Sequence, residues 1–140
     1  MALVAKKADV WAVAVLDRPG SLGAKLAALA HGGANLEFVL ARRSPEEPGM
    51  GVIFIAGIRG AKQVKAARAA GLIRTKTLAS VRVEGPDRPG IGAKMMAALA
   101  EAGVNVRALS ATAVAKKFVA FLALDNDTDA AKCVRAIKKM

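Results

Sequence analysis

The sequence predicts an α+β protein built twice from one pattern, strand–helix–strand–strand–helix. Three observations carry that prediction. The tetrapeptide Asp-Arg-Pro-Gly occurs at Asp17 and again at Asp87, 70 positions later in a chain of 140. Aligned without a gap, residues 17–36 and 87–106 share ten of twenty positions, including Gly33/Gly103 and Asn35/Asn105. The same order of apolar runs and helical spacings surrounds both tetrapeptides. Alanine-rich helices match by chance, so the common Ala-Ala-Leu-Ala weighs little. The turn and the Gly-x-Asn keep a fixed separation in both copies, and internal duplication accounts for that.

Each element has a local reason. Val10–Leu16 is almost wholly apolar and reads as a strand buried on both faces, whereas 78–84 alternates, with Val81 and Val83 opposite Arg82 and Glu84. After each turn comes a helix. Leu22, Leu26, Leu29 and Ala30 fall on one face of the first, and Met96, Leu99 and Gly103 on one face of the second, with Met95 and Met96 filling the core. Gly33 and Gly103 stand where a left-handed helix stop is wanted. Residues 36–43 and Met50–Ala56 flank the turn-rich 45–49 as a hairpin, and Val106–Val114 pairs with 118–124 around 115–117.

A second helix closes each copy. The first, 61–70, turns Val64, Ala67 and Gly71 toward the core. The second, 128–139, carries Ala131, Val134 and Ile137 on one stripe, with Asp127 or Thr128 as its cap and Cys133 as a structural thiol. Residues 72–77 supply a last strand to the first copy, completing the ferredoxin-like β-α-β-β-α-β order. The second copy ends while still helical, so its sheet edge is either exposed or covered by another segment. The domains are therefore 1–76 and 77–140.

Composition narrows the function. The chain carries 22 Lys and Arg against 11 Asp and Glu, a net charge of +11, which permits an anionic partner. The basic residues come in ones and twos, as on solvated faces. No apolar run is long enough for a membrane helix, no secretory signal is visible, and one cysteine allows no internal disulfide. The expected location is cytoplasmic, with no membrane partner. There is one histidine, no tyrosine, and no visible nucleophile–base pair, paired catalytic carboxylates or metal cluster, so neither an enzyme nor a cofactor is expected.

Strand, Asp-Arg-Pro-Gly, helix, Gly-x-Asn and strand on a ferredoxin-like frame resembles the ACT domain, a small regulatory domain that senses amino acids. Two copies in one chain resemble the stand-alone tandem ACT proteins. The resemblance runs from about Ala8 onward and departs at the missing last strand of the second copy. It implies antiparallel sheets with helices on one face and domains joined side by side. The exposed sheet edge of such small units, and the closing strand missing from the second copy, predict a homodimer, and a sensor of this kind passes its state to a regulated enzyme as partner. The resemblance also implies a ligand between domains, held by the loop after the first strand of one and near the Gly-x-Asn of its neighbour.

The residues suit an amino-acid ligand. Its carboxylate needs oriented donors, and a helix start offers unpaired N–H groups and the positive end of the dipole. Arg18, Pro19, Gly20, Ser21 and Leu22 sit there in copy one, and Arg88, Pro89, Gly90, Ile91 and Gly92 in copy two. Glycine permits close approach and proline stiffens the turn. For the ammonium group, Asn35 and Asn105 offer amide oxygens, and Asp17 and Asp87 offer full charges. Two roles are open to these aspartates, ligand contact and helix capping. Ser21 in copy one against Ile91 in copy two makes the sites chemically unequal. The runner-up readings are a basic nucleic-acid-binding module and a ligand-free dimerisation module. The former lacks the sheet-face aromatic pattern that stacks bases.

Overall fold

The structure, a computed structural model, describes residues 2–75 and 79–140. In chain order the elements are β1 (Val4–Ala8), β2 (Val10–Leu16), α1 (Ser21–His31), β3 (Phe38–Arg43), β4 (Met50–Ala56), α2 (Gly60–Ala69), β5 (Ile73–Arg74), β6 (Ala79–Pro86), α3 (Ile91–Glu101), β7 (Val106–Val114), β8 (Lys117–Leu124) and α4 (Asp127–Lys138). The chain divides into two compact units, Asp9–Thr75 and Met1–Ala8 with Lys76–Met140.

In the unit Asp9–Thr75 the antiparallel sheet runs β3-β4-β2-β5. Trp11, Ile53 and Ile55 on the sheet meet Leu29 of α1, Ala67 of α2 and Leu72 in a buried cluster. The strand Val10–Leu16 was expected to be buried on both faces. Trp11 is buried and Val13 and Val15 pack against the cluster, whereas Ala14 and Leu16, in the alternate phase, are exposed, because the helices cover one side of the sheet. Leu22 and Ala30 are also exposed; Leu29 is the fully buried residue of α1.

The unit formed by Met1–Ala8 and Lys76–Met140 has the order β1-β6-β8-β7. Its core is larger. Val81 and Val83 of β6 and Ala120, Leu122 and Leu124 of β8 pack under Met95 and Leu99 of α3 and Cys133 and Ile137 of α4. Met95 rather than Gly103 completes the α3 stripe, and Gly103 is exposed. The question of the second copy's missing strand is answered by β1. It runs antiparallel to β6 from Val4↔Glu84 to Ala8↔Ser80 and buries Ala5. The N-terminal residues thus belong with the second copy, and the same strand order is reached in both units from two different chain routes.

The helix ends follow local chemistry. After α1, α2 and α3 the chain turns left-handed at Gly33, Gly71 and Gly103. At each end two backbone bonds close the helix: Gly33 N–H to Ala30 and Ala34 N–H to Leu29, Gly71 to Arg68 and Leu72 to Ala67, Gly103 to Ala100 and Val104 to Leu99. Gly71 is therefore an exposed stop, not a core residue. It throws the chain into Leu72 and leaves only Ile73–Arg74 as strand, shorter than the expected 72–77, of which Lys76 and Thr77 lie outside the described residues. The cap of α4 is neither Asp127 nor Thr128 but Asn126, whose Oδ1 accepts from Asp129 N–H at 2.8 Å.

Candidate ligand-binding site

The two Asp-Arg-Pro-Gly turns have one geometry. In each, the aspartate N–H donates to the facing hairpin turn, Asp17 to the Gly49 carbonyl at 2.9 Å and Asp87 to that of Lys116 at 2.8 Å. The next helix is entered through a left-handed glycine, Gly20 at φ 91° and Gly90 at φ 82°. Nothing lies within 4 Å of where a Cβ would stand on either, so the requirement is conformational. Neither helix start receives a side-chain cap. Asp17 and Asp87 therefore do not act as caps. Asp17 instead accepts from Arg43 Nε at 2.8 Å on the exposed surface. In α1 the Ser21 N–H bonds the Arg18 carbonyl and the Ala24 N–H bonds that of Gly20. The Leu22 and Gly23 amides between them have no intrahelical acceptor.

Around the first turn lies an open cleft of about 600 Å³. Ala14, Leu16 and Met50 line it from the sheet, Arg18 and Pro19 from the turn, and Ser21 and Lys25 from α1. Among these residues there are two cations and no carboxylate. Lys25 Nζ also donates to the Ala70 carbonyl at 2.5 Å, which holds the ammonium beside the cleft. The counterpart at the second turn is smaller, about 270 Å³, and is lined by Arg88, Pro89, Ile91 and Lys94. Ile91 is largely turned into the core, at 8% exposure, whereas Ser21 is half-buried at the cleft wall.

The Gly-x-Asn segments lie elsewhere in each unit. Asn35 precedes β3, whose first residue Phe38 pairs with Ala56, and Ala56 pairs with Val10 at the start of β2. The Asp-Arg-Pro-Gly turn follows Leu16 at the other end of the strand. Helix α1, eleven residues long, separates them by about 16 Å. Asn105, before β7, is likewise remote from Asp87 within its unit. The Asn35 loop is built firmly. Gln63 Nε2 donates to the Gly33 carbonyl at 3.0 Å, its Oε1 accepts from Arg59 N–H at 2.7 Å, and Arg59 pairs with Glu37. A Cβ on Gly57 would come within 2.8 Å of Glu37 N, so only glycine lets β4 leave past this loop.

Sequence reasoning passed over Lys25, Met50, Ala14 and Leu16. Lys25 had a signal, since its counterpart in the alignment is the core residue Met95, and a charge at a core position of its twin marks a local change of role. Among the described residues no group of three His, Cys, Asp or Glu is placed to hold a metal ion, and no helix is long and apolar enough to cross a membrane.

No family model and no curated protein sequence matches the chain. Solved structures match in fold. Protein BT0572 from Bacteroides thetaiotaomicron aligns with a TM-score of 0.78 at 20% identity, over 96% of this chain and 89% of that one. The ligand-free regulatory subunit of aspartate kinase from Thermus thermophilus aligns with a TM-score of 0.67 at 17% identity, over 99% and 96%. Aspartate kinase from Synechocystis aligns at 0.62 and 21% identity, with 98% of this chain covering 26% of that enzyme. The architecture is thus found both as a separate subunit and as part of a longer chain. With its two units of strand order shared from end to end, the chain has the tandem ACT-domain fold.

Proposed function

We propose that the chain is a regulatory protein that binds an amino acid through its α-carboxylate in the cleft beside the first Asp-Arg-Pro-Gly turn. One observation carries the reading. The cleft is lined by Arg18, Lys25 and Ser21 beside the start of α1, with no carboxylate among its lining residues. Such donors suit a carboxylate, and the apolar walls from Leu16, Met50 and Pro19 suit a side chain. The fold match to a regulatory subunit of aspartate kinase supports a regulatory rather than catalytic role. A ligand that favours one arrangement of domains shifts its population, and a partner enzyme reads that shift. Affinity in the micromolar to millimolar range, roughly −4 to −8 kcal/mol, suits sensing. Asp87, Arg88, Pro89, Gly90, Ile91 and Gly92 form the weaker counterpart in this reading. Asn35 and Asn105 enter such sites only from a domain other than their own.

The test is a thermal-shift screen of the twenty amino acids, followed by calorimetry on Arg18→Ala and Ser21→Ile. A saturable shift with one amino acid, weakened in both variants, is the expected result. No shift with any amino acid, together with salt-sensitive binding to a short RNA or DNA, replaces the reading with the nucleic-acid one.

A further inference from the structure

β2 is paired along its whole length on one edge, with β4, but on the other edge β5 reaches only Trp11 and Ala12. The backbone groups on that second edge are identified by phase. Val10 turns its carbonyl to Thr75 N–H, and the residues in register with it, Ala12, Ala14 and Leu16, point the same way. The opposite ladder agrees, because Ala56 and Met50, the β4 partners of Val10 and Leu16, turn their carbonyls to Glu37 and Ser44 on the β3 side. The Leu16 carbonyl is taken by Arg18 N–H at 3.0 Å. Beyond β5, then, Ala14 N–H, Ala14 C=O and Leu16 N–H have no strand partner among the described residues, and all three belong to residues that line the 600 Å³ cleft.

The second copy shows what this edge is shaped to take. There Val83 and Glu84, the counterparts of Val13 and Ala14, are paired by Ala5 and Val4, and a Cβ on Gly85 would meet Leu3 Cδ2 at 2.4 Å. An extended chain covers the edge in one copy, and Gly71 with its left-handed turn denies the other copy the same cover.

We infer that the β2 edge is the recognition element of the cleft, and that its ligand binds as one residue of an added parallel strand opposite Val15. Its N–H donates to Ala14 C=O and its carboxylate accepts from Leu16 N–H. That direction of chain places the carboxylate toward Arg18, which follows the Leu16 end of the edge, and the reverse direction would bring an ammonium group to that cation. Asp17, whose carboxylate is held by Arg43, is not needed for the ligand's amino group. The chemistry recognised is an α-carboxylate with an adjacent N–H donor, offered by a free amino acid or by the C-terminal residue of a peptide. This inference rests on the amino-acid reading of the cleft and adds the backbone that performs it.

The experiment uses the full chain, with L-leucine, glycyl-L-leucine and L-leucinamide as probes, followed by amide NMR and hydrogen exchange. Leucine is chosen because the walls from Leu16, Met50 and Pro19 are apolar. The expected result is saturable perturbation at Arg18 and Ser21, at least tenfold slower exchange of the Leu16 amide, and no such effect with leucinamide. Tighter binding of leucine assigns a free amino acid, and tighter binding of glycyl-leucine assigns a peptide end. Leu16→Pro removes that N–H from an edge where it serves no ladder, and Leu16→Ala keeps it. Affinity at least tenfold lower in Leu16→Pro than in Leu16→Ala is expected, with Trp11 emission checking that the fold is retained. Binding that perturbs Arg18 and Ser21 but leaves Leu16 exchange unchanged overturns the edge role and spares the amino-acid reading. No perturbation by either leucine or glycyl-leucine overturns the inference, and the twenty-residue screen then decides the reading on its own.

Discussion

Leu22 and Leu29 stand on the same helix and, from spacing alone, on the same face, yet their truncation to alanine is expected to have different consequences. Leu29 is 0% exposed and packs with Trp11, Ile53, Ile55, Ala67 and Leu72. Leu22 is 38% exposed in the first turn. Truncating a fully buried leucine removes its transfer free energy and leaves a cavity, a loss of about 2–5 kcal/mol. Here about 3 kcal/mol is expected, within that range, because Leu29 is fully buried among residues of the sheet, α2 and the segment after it. Leu22→Ala is expected to stay within about 0.5 kcal/mol. The assay is urea unfolding followed by tryptophan fluorescence. Trp11 is the sole tryptophan, is 1% exposed, and lies in this cluster with the Arg74 guanidinium 5.3 Å from its ring, so its emission reports this core. With a slope of about 1–1.5 kcal/mol per molar for so small a unit, Leu29→Ala lowers the midpoint by about 2–3 M. Equal shifts for the two variants, or a Leu29→Ala shift below about 0.5 M, would refute the assignment of the core.

The glycines at the α1 start separate strain from propensity. Gly20→Ala is expected to destabilise by about 1–2 kcal/mol through its left-handed φ alone, while Gly23→Ala, inside the helix with nothing within 4 Å, is expected to stabilise by about 0.5–1 kcal/mol, both read as urea midpoints. Burial pushes the Cys133 thiol up from 9.0 to about 11. The unfolded chain therefore loses this proton first, and the contribution to stability is full below pH 9 and falls between about pH 9 and 11. Because Cys133 lies in the unit without Trp11, the midpoints are read by circular dichroism; compared across that range with those of Cys133→Val, they should show a loss approaching about 2–3 kcal/mol that the variant lacks. Asn126→Ala removes the α4 cap and is expected to cost about 1 kcal/mol, checked by circular dichroism during thermal unfolding.

Much of this fold is legible in the residues because its signals are local. Proline and glycine after Asp17 and Asp87 mark the turns, Gly33 and Gly103 mark helix stops, and Met50–Ala56 and Val106–Val114 were bounded by turn chemistry at both ends. Errors arose where one residue had two local uses. Gly71 fits a helical core stripe and also a left-handed stop, and only the bonds from Gly71 and Leu72 back into α2 distinguish them. Asn126 lies one residue ahead of the expected caps, and its role depends on the exact start of α4.

The repeat, the two copies of the turn and the inequality of Ser21 and Ile91 were determined by the sequence itself, since each depends on neighbours a few positions away. Tertiary structure decided the rest. Val4–Ala8 pairs with β6 across some 75 residues of chain, and nothing in Val-Ala-Lys-Lys-Ala names that partner, because a strand's backbone groups are the same whatever edge they meet. The place of Asn35 at the far end of α1 from Asp17, the capture of Asp17 by Arg43, and the groups of Ala14 and Leu16 that have no strand partner among the described residues follow from which strands stop short and which helices lie over them. Those are sums of many weak non-local contacts, and they become definite only when the whole unit is packed.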